Sequence, residues 1–361
     1  MLQTALYDWH VTHGGRMVDF AGWHMPIQYS SIVEEHQAVR ERAGLFDISH
    51  MGRIWFEGPD AEKFLDHLLT NHVAKMQDGQ VRYSMICRED GGILDDVLIY
   101  RFPDKYLLVV NGSNREKIVK WIQQHQGSFT VAWKDVTQET CMVAIQGPHA
   151  TALLQQFVDC DLDTIKYYQA REATAFGIPA VISRTGYTGE DGFELTIDNS
   201  VADSVWQQLI DAGKSIGLVP CGLGCRDTLR LEAGMPLYGH EMDENVNPIV
   251  AGLSFGVKLD KPEFIGKQAL VEQASRSDLP HRVGLQLDGK RIARQGAELY
   301  QGEEKLGSVT SGTFSPTQQA SLAMGYVTAS AAVPGTIIDV DIRGKREPAR
   351  VVALPFYKRK T

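Results

Sequence analysis

R-I-W-F-E-G-P-D-A-E-K-F-L at residues 53–65 and C-M-V-A-I-Q-G-P-H-A-T-A-L-L at 141–154 read as one unit written twice. Each begins with an apolar, strand-like run, meets Gly-Pro, and resumes with an alanine two residues on and apolar residues at helical spacing. Proline suits the first turn of a helix, where its missing N–H would be unpaired anyway, so each copy predicts strand, turn and helix. A repeated unit of this kind points to a duplicated α+β architecture. Between the copies, 106–110 predicts a strand, 115–125 an amphipathic helix and 129–133 another strand. Residues 200–216 predict a further helix, with Val201, Val205, Leu209 and Ala212 close to one face. From about 279 the texture changes. Short apolar runs at 282–287, 297–300, 305–310, 322–327, 337–342 and 349–353 alternate with Gly, Pro and Asp turns, which predicts a separate all-β domain.

A chain of 361 residues exceeds one ordinary core and sets an expectation of two or three domains. Its 43% hydrophobic and 22% charged residues are those of a soluble globular protein, and no apolar run approaches a bilayer span. The N-terminal M-L-Q-T-A-L-Y-D-W-H lacks signal or transit character. Five cysteines, an odd number with no C-x-x-C pair, point to reduced thiols and a cytoplasmic setting. A net charge of −9 argues against a nucleic-acid partner, since phosphate binding needs concentrated Lys and Arg. The one basic cluster, Lys358 to Lys360, reads as a solvated end.

Three segments carry candidate chemistry. In S-R-T-G-Y-T-G-E-D-G-F-E at 183–194, glycines 186, 189 and 192 let a short loop between two strands turn tightly and reach positive φ, presenting Tyr187, Glu190, Asp191 and Glu194. A Gly-rich hairpin connection has the same appearance, so site and plain loop both stand. G-G-I-L-D-D-V-L-I-Y at 91–100 sets two aspartates inside an apolar strand, where adjacent residues face opposite sides and at most one can face a given cleft. Either one of Asp95 and Asp96 is functional, or one caps a neighbouring backbone while the other meets water. In C-G-L-G-C-R-D-T-L-R-L-E at 221–232 a helix opens at about Arg226, whose planar fork suits bidentate acceptors; salt bridges to Asp227 or Glu232 are its structural alternative. Cys221 and Cys225 read as packing. Eleven histidines form no H-E-x-x-H, and no phosphate loop, dinucleotide fingerprint or nucleophile motif is present, so no metal or nucleotide is expected.

Together with M-V-D-F-A-G-W at 17–23, F-D-I-S-H-M at 46–51, S-G-T-F-S-P-T at 311–317 and P-F-Y at 355–357, these segments closely resemble the aminomethyltransferase, or T-protein, family of the glycine cleavage system. The likeness runs in order along essentially the whole chain. It implies two entwined ferredoxin-like domains and a C-terminal β-barrel or jelly-roll-like domain around a central folate pocket. The corresponding division is 1–50 with 138–245 as the first α+β domain, 51–137 as the second, 246–278 as a connecting segment and 279–361 as the all-β domain. The implied reaction moves the one-carbon unit of an aminomethyl group, carried on the dihydrolipoyl arm of H-protein, to tetrahydrofolate, giving the 5,10-methylene form and ammonia. The family motifs set Glu194 and Arg226 on folate-contact positions, with Tyr187, Tyr83 and Asn111 lining the pocket and Asp96 as the catalytic carboxylate. A carboxylate can accept the paired N–H donors of a pterin edge, Arg226 is expected to meet the pterin's acceptors and hold that carboxylate, and Asp96 can stabilise developing positive charge as ammonia leaves. Asp95, Glu190 and Asp191 receive no role.

Three rivals frame that expectation. The non-catalytic folate-binding paralogue of iron-sulfur assembly carries K-G-C-Y-x-G-Q-E, whereas K-P-E-F-I-G-K-Q at 261–268 has Glu263 where that cysteine stands. Folate-linked demethylases usually follow a flavin domain, for which this chain has no fingerprint. A bare folate carrier needs no aspartate at 96. Docking of an acidic H-protein onto a chain of net charge −9 calls for a local basic patch, with 358–360, Arg291 and Arg294 as candidates.

Overall fold

The computed structural model describes residues 1–359. The repeated unit is present twice: strand Gly52–Glu57 leads into helix Ala61–Leu68, and strand Thr140–Gln146 into helix Ala150–Leu154. Gly58 and Gly147 take φ of 112° and 127°, and a Cβ on Gly147 would lie 2.6 Å from the Val39 carbonyl oxygen. Pro59 and Pro148 do not open the helices as expected. The Gly58 carbonyl accepts from the Ala61 N–H (3.1 Å) and that of Gly147 from Ala150 (3.0 Å), so each proline sits second in a four-residue turn ahead of the N-caps Asp60 and His149.

Each copy belongs to its own sheet. Five strands in the order Val81–Cys87, Ile93–Arg101, Lys105–Val110, Gly52–Glu57 and Ala132–Asp135 form one. Six form the other, in the order Ala170–Ala175, Ile178–Ser183, Gly192–Asp198, Thr140–Gln146, Gly44–Asp47 and Val219–Cys221. Because Gly44–Asp47 joins the six-stranded sheet before the five-stranded one begins, the chain crosses between sheets and back, and the two α+β units are entwined. The sheets meet through a shared apolar layer in which Phe46, Met142 and Ala144 of one lie with Tyr100, Leu107 and Val109 of the other. Away from this layer each sheet is covered by its own helices: Trp206 and Leu209 bury into the six-stranded side, and Phe64, Ile118 and Ile122 into the five-stranded side. Each such buried side chain contributes about 1.5–3 kcal/mol of hydrophobic stabilisation.

Helix Arg115–His125 matches its sequence signal, while the predicted helix over 200–216 is α-helical only over Ala202–Gly213, with 3-10 turns at either end. The strand predicted at 129–133 begins later, at Ala132, because the Thr130 N–H donates to the Asp60 carboxylate (2.9 Å) and the Val131 N–H to the Phe129 carbonyl (3.0 Å), which holds the segment as a turn. The C-terminal strands His281–Leu287, Ala320–Val327, Glu304–Ser315, Glu298–Gln301, Ile337–Ile342 and Lys345–Val352 close into a barrel in that order, without the open sheets of a jelly roll. Closure pairs every edge strand, which removes exposed ladder groups. Among the described residues no helix is long and apolar enough to cross a membrane.

Candidate active site

Where the two sheets and the barrel converge lies a cavity of about 410 Å³, and Tyr83, Asp96, Asn111, Tyr187, Glu194 and Arg226 all line it. They arrive from five separate stretches of chain.

Strand Ile93–Arg101 carries the aspartate pair, and alternation sends the two carboxylates different ways. Asp95 is fully buried and accepts from the Asn111 backbone N–H (2.9 Å), the Asn111 side-chain amide (2.8 Å) and Asn114 (2.6 Å). Asp96 turns to the cavity, where it accepts from the Tyr83 hydroxyl (3.1 Å) and from the same Asn111 amide (2.7 Å). Burial raises the pKa of both carboxyls, and the Asp96 charge raises that of Asp95 further, so the pair resists holding two charges. The Asp95 carboxylate thus caps a backbone as its bland reading has it; the Asp96 carboxylate has fixed partners in place of open water.

The loop 184–191 connects strands Ile178–Ser183 and Gly192–Asp198, in which Ser183 lies opposite Glu194. Of the three glycines at 186, 189 and 192 only Gly189 has positive φ, 81°. Gly186 and Gly192 are needed for close approach instead: a Cβ would fall 2.0 Å from the Gln146 side-chain oxygen at the first and 2.3 Å from the Ile145 carbonyl oxygen at the second. Glu190 pairs with Arg40 (3.0 Å), and Asp191 with Arg184 (2.5 Å) and Arg359 (3.2 Å), so both carboxylates anchor the loop and leave Tyr187 and Glu194 to the cavity. Glu194 is nearly buried and accepts from the Thr185 hydroxyl at 2.5 Å. Its pKa is raised because burial outweighs the Thr185 bond and the Arg226 charge.

Arg226 rides on helix Leu223–Glu232, which opens three residues earlier than its sequence signal because the Gly222 backbone packs where a Cβ would lie 2.3 Å from the Ile27 carbonyl carbon. Asp227 is taken by Arg230 (2.8 Å) and Glu232 by Arg40 (2.9 Å), and the Arg226 guanidinium lies 4.6 Å over the Tyr187 ring. The expected direct grip on Glu194 is not made: among the described residues Arg226 has no carboxylate within 4.0 Å, because Glu194 is turned to Thr185 and the guanidinium to the Tyr187 face. Burial lowers the Arg226 pKa, against the opposing pull of Tyr187 and Glu194. Tyr187 is itself held by its hydroxyl, which donates to the Pro236 carbonyl. The result is a cavity with two carboxylates, an Arg226 guanidinium that has no carboxylate partner among the described residues, and several aromatic faces, able to accept N–H pairs, donate to planar acceptors and stabilise a cation.

Sequence reasoning passed over other wall residues. Phe20 and Ala21 come from the turn of hairpin Arg16–Phe20 and Trp23–Gln28, where Ala21 takes φ 52°. Tyr168 holds φ 58°, a conformation that non-glycine residues adopt rarely. Phe255, 63% exposed, stacks on Tyr83 at 5.4 Å and 25°. Arg282 reaches in from the barrel, tied to the Ala251 carbonyl (2.8 Å). His50 and the Phe20–Ala21 turn lay inside quoted motifs but carried no signal of their role. Among the described residues one grouping has metal-ligating types close together, Glu35 with Cys221 and Cys225. The Glu35 carboxylate there accepts from the backbone N–H groups of Tyr29, Ser30 and Gly222, which assigns it to anchoring a helix start.

Residues 6–261 match the family model of the GCVT N-terminal domain, and 281–358 that of the glycine cleavage T-protein C-terminal barrel domain. The aminomethyltransferase of Streptomyces avermitilis is 49% identical over 99% of this chain and 97% of its own, and that of Alkaliphilus oremlandii 45% identical over 99% and 98%. The crystal structure of glycine cleavage system aminomethyltransferase T from Bartonella henselae is 35% identical and superposes with a TM-score of 0.93, covering 99% of each chain. Sequence, fold and the full-length match agree that this chain belongs to the aminomethyltransferase family of glycine cleavage T-proteins.

Proposed function

We propose that the chain transfers the one-carbon unit of an aminomethyl group, presented on the dihydrolipoyl arm of H-protein, to tetrahydrofolate, and that Asp96, Glu194 and Arg226 are its principal working residues. The observation that carries this reading is their convergence, with Tyr83, Asn111 and Tyr187, on one cavity. Its volume is in the range of small-molecule sites. In the overall exchange the carbon–nitrogen and carbon–sulfur bonds of the aminomethyl group break, two bonds to folate nitrogens form, and the two displaced folate protons leave with ammonia and the thiol. Glu194 accepts the paired N–H donors of the pterin edge. Arg226, free of carboxylate partners, donates to the ring's acceptors. The Asp96 carboxylate, fixed by Tyr83 and Asn111 in a largely dry wall, stabilises positive charge developing on the transferred carbon as ammonia departs. It is also placed to take up or return a proton. The Tyr187 and Tyr83 rings supply flat faces for the heterocycle.

The division into 1–50 with 138–245, 51–137, a connector at 246–278 and 279–361 follows the same reading. Five unpaired cysteines, four of them buried, suit a reducing compartment such as the cytoplasm. Docking of H-protein through a basic patch finds limited material: Arg291 pairs with Glu347 (3.4 Å), Arg359 with Asp191 (3.2 Å), and Lys360 lies outside the described residues. Full-length similarity to aminomethyltransferases favours a transferase over the non-catalytic iron-sulfur assembly protein.

The test is ammonia release and methylene formation on mixing with tetrahydrofolate and aminomethylated H-protein. Asp96→Asn is expected to fold, bind folate and lose at least ~100-fold in turnover. Near-normal transfer by that variant rejects the assignment.

A further inference from the structure

Behind Glu194 lies a line of buried hydroxyls to which the folate reading gives no task. Ser183 and Thr185 are each 2% exposed. Ser183 stands opposite Glu194 in the ladder between strands Ile178–Ser183 and Gly192–Asp198, and Thr185 follows two residues later, which gathers the three side chains in one place. The Ser183 and Thr185 hydroxyls are 2.8 Å apart, and that of Thr185 lies 2.5 Å from Glu194 Oε2. The backbone that carries them is fixed as well. The Thr185 carbonyl accepts from the side-chain amide of Gln146 (3.1 Å), whose oxygen accepts in turn from the Thr188 hydroxyl (2.8 Å).

Counting hydrogens gives the line a direction. An ionised carboxylate accepts and cannot donate, and each hydroxyl has a single hydrogen. Thr185 therefore spends its hydrogen on Glu194 and can only accept from Ser183, so the line runs from Ser183 through Thr185 to the carboxylate. A hydroxyl bound to an anion makes a stronger bond than one bound to a neutral acid, and the line favours the ionised form against the burial that raises the Glu194 pKa. The other groups facing Glu194 are Arg226 on helix Leu223–Glu232, Tyr100 on strand Ile93–Arg101, and Tyr167 and Tyr168 just ahead of strand Ala170–Ala175. Arg226 pulls the same way as Thr185, and burial raises the pKa of all three phenols, which stay neutral. Of these groups Glu194 alone changes charge in the acid range.

We propose that Thr185, aimed by Ser183, is a positioning residue of the folate site, whose hydroxyl holds the Glu194 side chain in place and keeps it ionised over the pH range in which folate binds. This rests on the folate reading above, in which Glu194 accepts the N–H donors of the pterin edge. A protonated Glu194 sets an O–H against those donors and gives up an acceptor. Loss of the Thr185 hydroxyl is therefore felt as a fall in affinity that begins at higher pH, and not as an equal loss at every pH.

The experiment measures the dissociation constant of tetrahydrofolate against pH, by anaerobic calorimetry, for the natural protein, Thr185→Val, Thr185→Ser and Ser183→Ala. The ligand's own titrations are common to all four and cancel in the ratio of variant to natural constants. In Thr185→Val the acid fall in affinity is expected about one pH unit higher, so the ratio reaches ~10-fold on the acid side and returns to within ~2-fold at high pH. Thr185→Ser, which keeps the donor, is expected to track the natural protein, and Ser183→Ala to move in the same direction as the valine variant by less. A Thr185→Val ratio that is equal at every pH, or a Thr185→Ser that behaves like the valine variant, overturns the proposal and leaves the folate reading intact. Failure of the natural protein to bind tetrahydrofolate at any pH overturns both. Carboxyl ¹³C NMR of the ligand-free proteins, with Glu194→Gln identifying the signal, reads the same titration directly. It is expected to move up in Thr185→Val, and in Ser183→Ala where the valine variant does not fold; an unmoved titration also overturns the proposal.

Discussion

Replacing Tyr83 with Phe removes one oxygen and leaves the ring stacked on Phe255. The lost group is the hydroxyl that donates to Asp96 Oδ2 at 3.1 Å, inside a wall where that carboxyl is already pushed upward by burial. A hydrogen bond to a charged acceptor contributes about 1.5–3 kcal/mol, and it favours the ionised form. Each pKa unit corresponds to about 1.36 kcal/mol, so the titration that governs Asp96 should rise by about 1–2 units. If the carboxylate is the working form, activity is lost as pH falls through that value, and the acid limb of the rate profile moves to higher pH. At one unit above the natural limb the ionised fraction falls from about 90% to about 50% or 10%, a roughly two- to ninefold loss that disappears two to three units further up. The limb belongs to the Asp95–Asp96 pair, since the two carboxyls interact. The assay is single-turnover transfer against pH with saturating folate, alongside folate affinity. An unmoved limb, or an equal loss at every pH, refutes the role given to this hydrogen bond.

Glu194→Gln, which keeps shape but exchanges an acceptor oxygen for a donor, should weaken folate binding by about 10- to 150-fold in calorimetry, and unaltered affinity would remove Glu194 from the pterin edge. Phe255→Ala exposes the Tyr83 ring and should cost about 0.5–1.5 kcal/mol of folate affinity, read by fluorescence titration; no change would show that the exposed ring is only a lip. Glu232 is fully buried and accepts from Arg40, Ser315 and Thr317. Burial works against its charge, but His36, Ser315 and Arg40 outweigh it and hold its pKa at about 2. A depressed folded value means stability that is full above the usual glutamate range and is lost as pH falls toward about 2. Glu232→Gln should therefore cost about 3–5 kcal/mol at pH 7 and flatten the acid decline of the melting temperature, and a parallel decline would contradict it.

The duplicated unit and the six barrel strands were legible because both rest on local pattern, an apolar run punctuated by glycine and proline. What the pattern misjudged was set by tertiary contact. Pro59 and Pro148 lie a turn ahead of their helices because the preceding glycine carbonyls close that turn, and helix Leu223–Glu232 starts early because Gly222 packs on Ile27. In the site, Asp96, Glu194 and Arg226 stood out as polar groups in unusual settings, and the family resemblance chose among them. Asp227 and Glu232 competed for Arg226 until their real partners, Arg230 and Arg40, were known. Tyr168 and Ala21 were unreadable because their distinction is backbone conformation.

Helix Leu223–Glu232 is engaged at both ends. Arg226 lines the cavity, while Arg230 donates to Ser311 (2.7 Å) and Glu232 accepts from Ser315 (2.5 Å), both on the barrel. An extra residue between 226 and 230 would rotate one end about 100° against the other, so that the guanidinium and the barrel bonds could not both keep their places. This ten-residue segment should thus be intolerant of length changes, although ordinary surface helices absorb them. The barrel, remote from the chemistry in sequence, sets the angular phase of a side chain in the pocket.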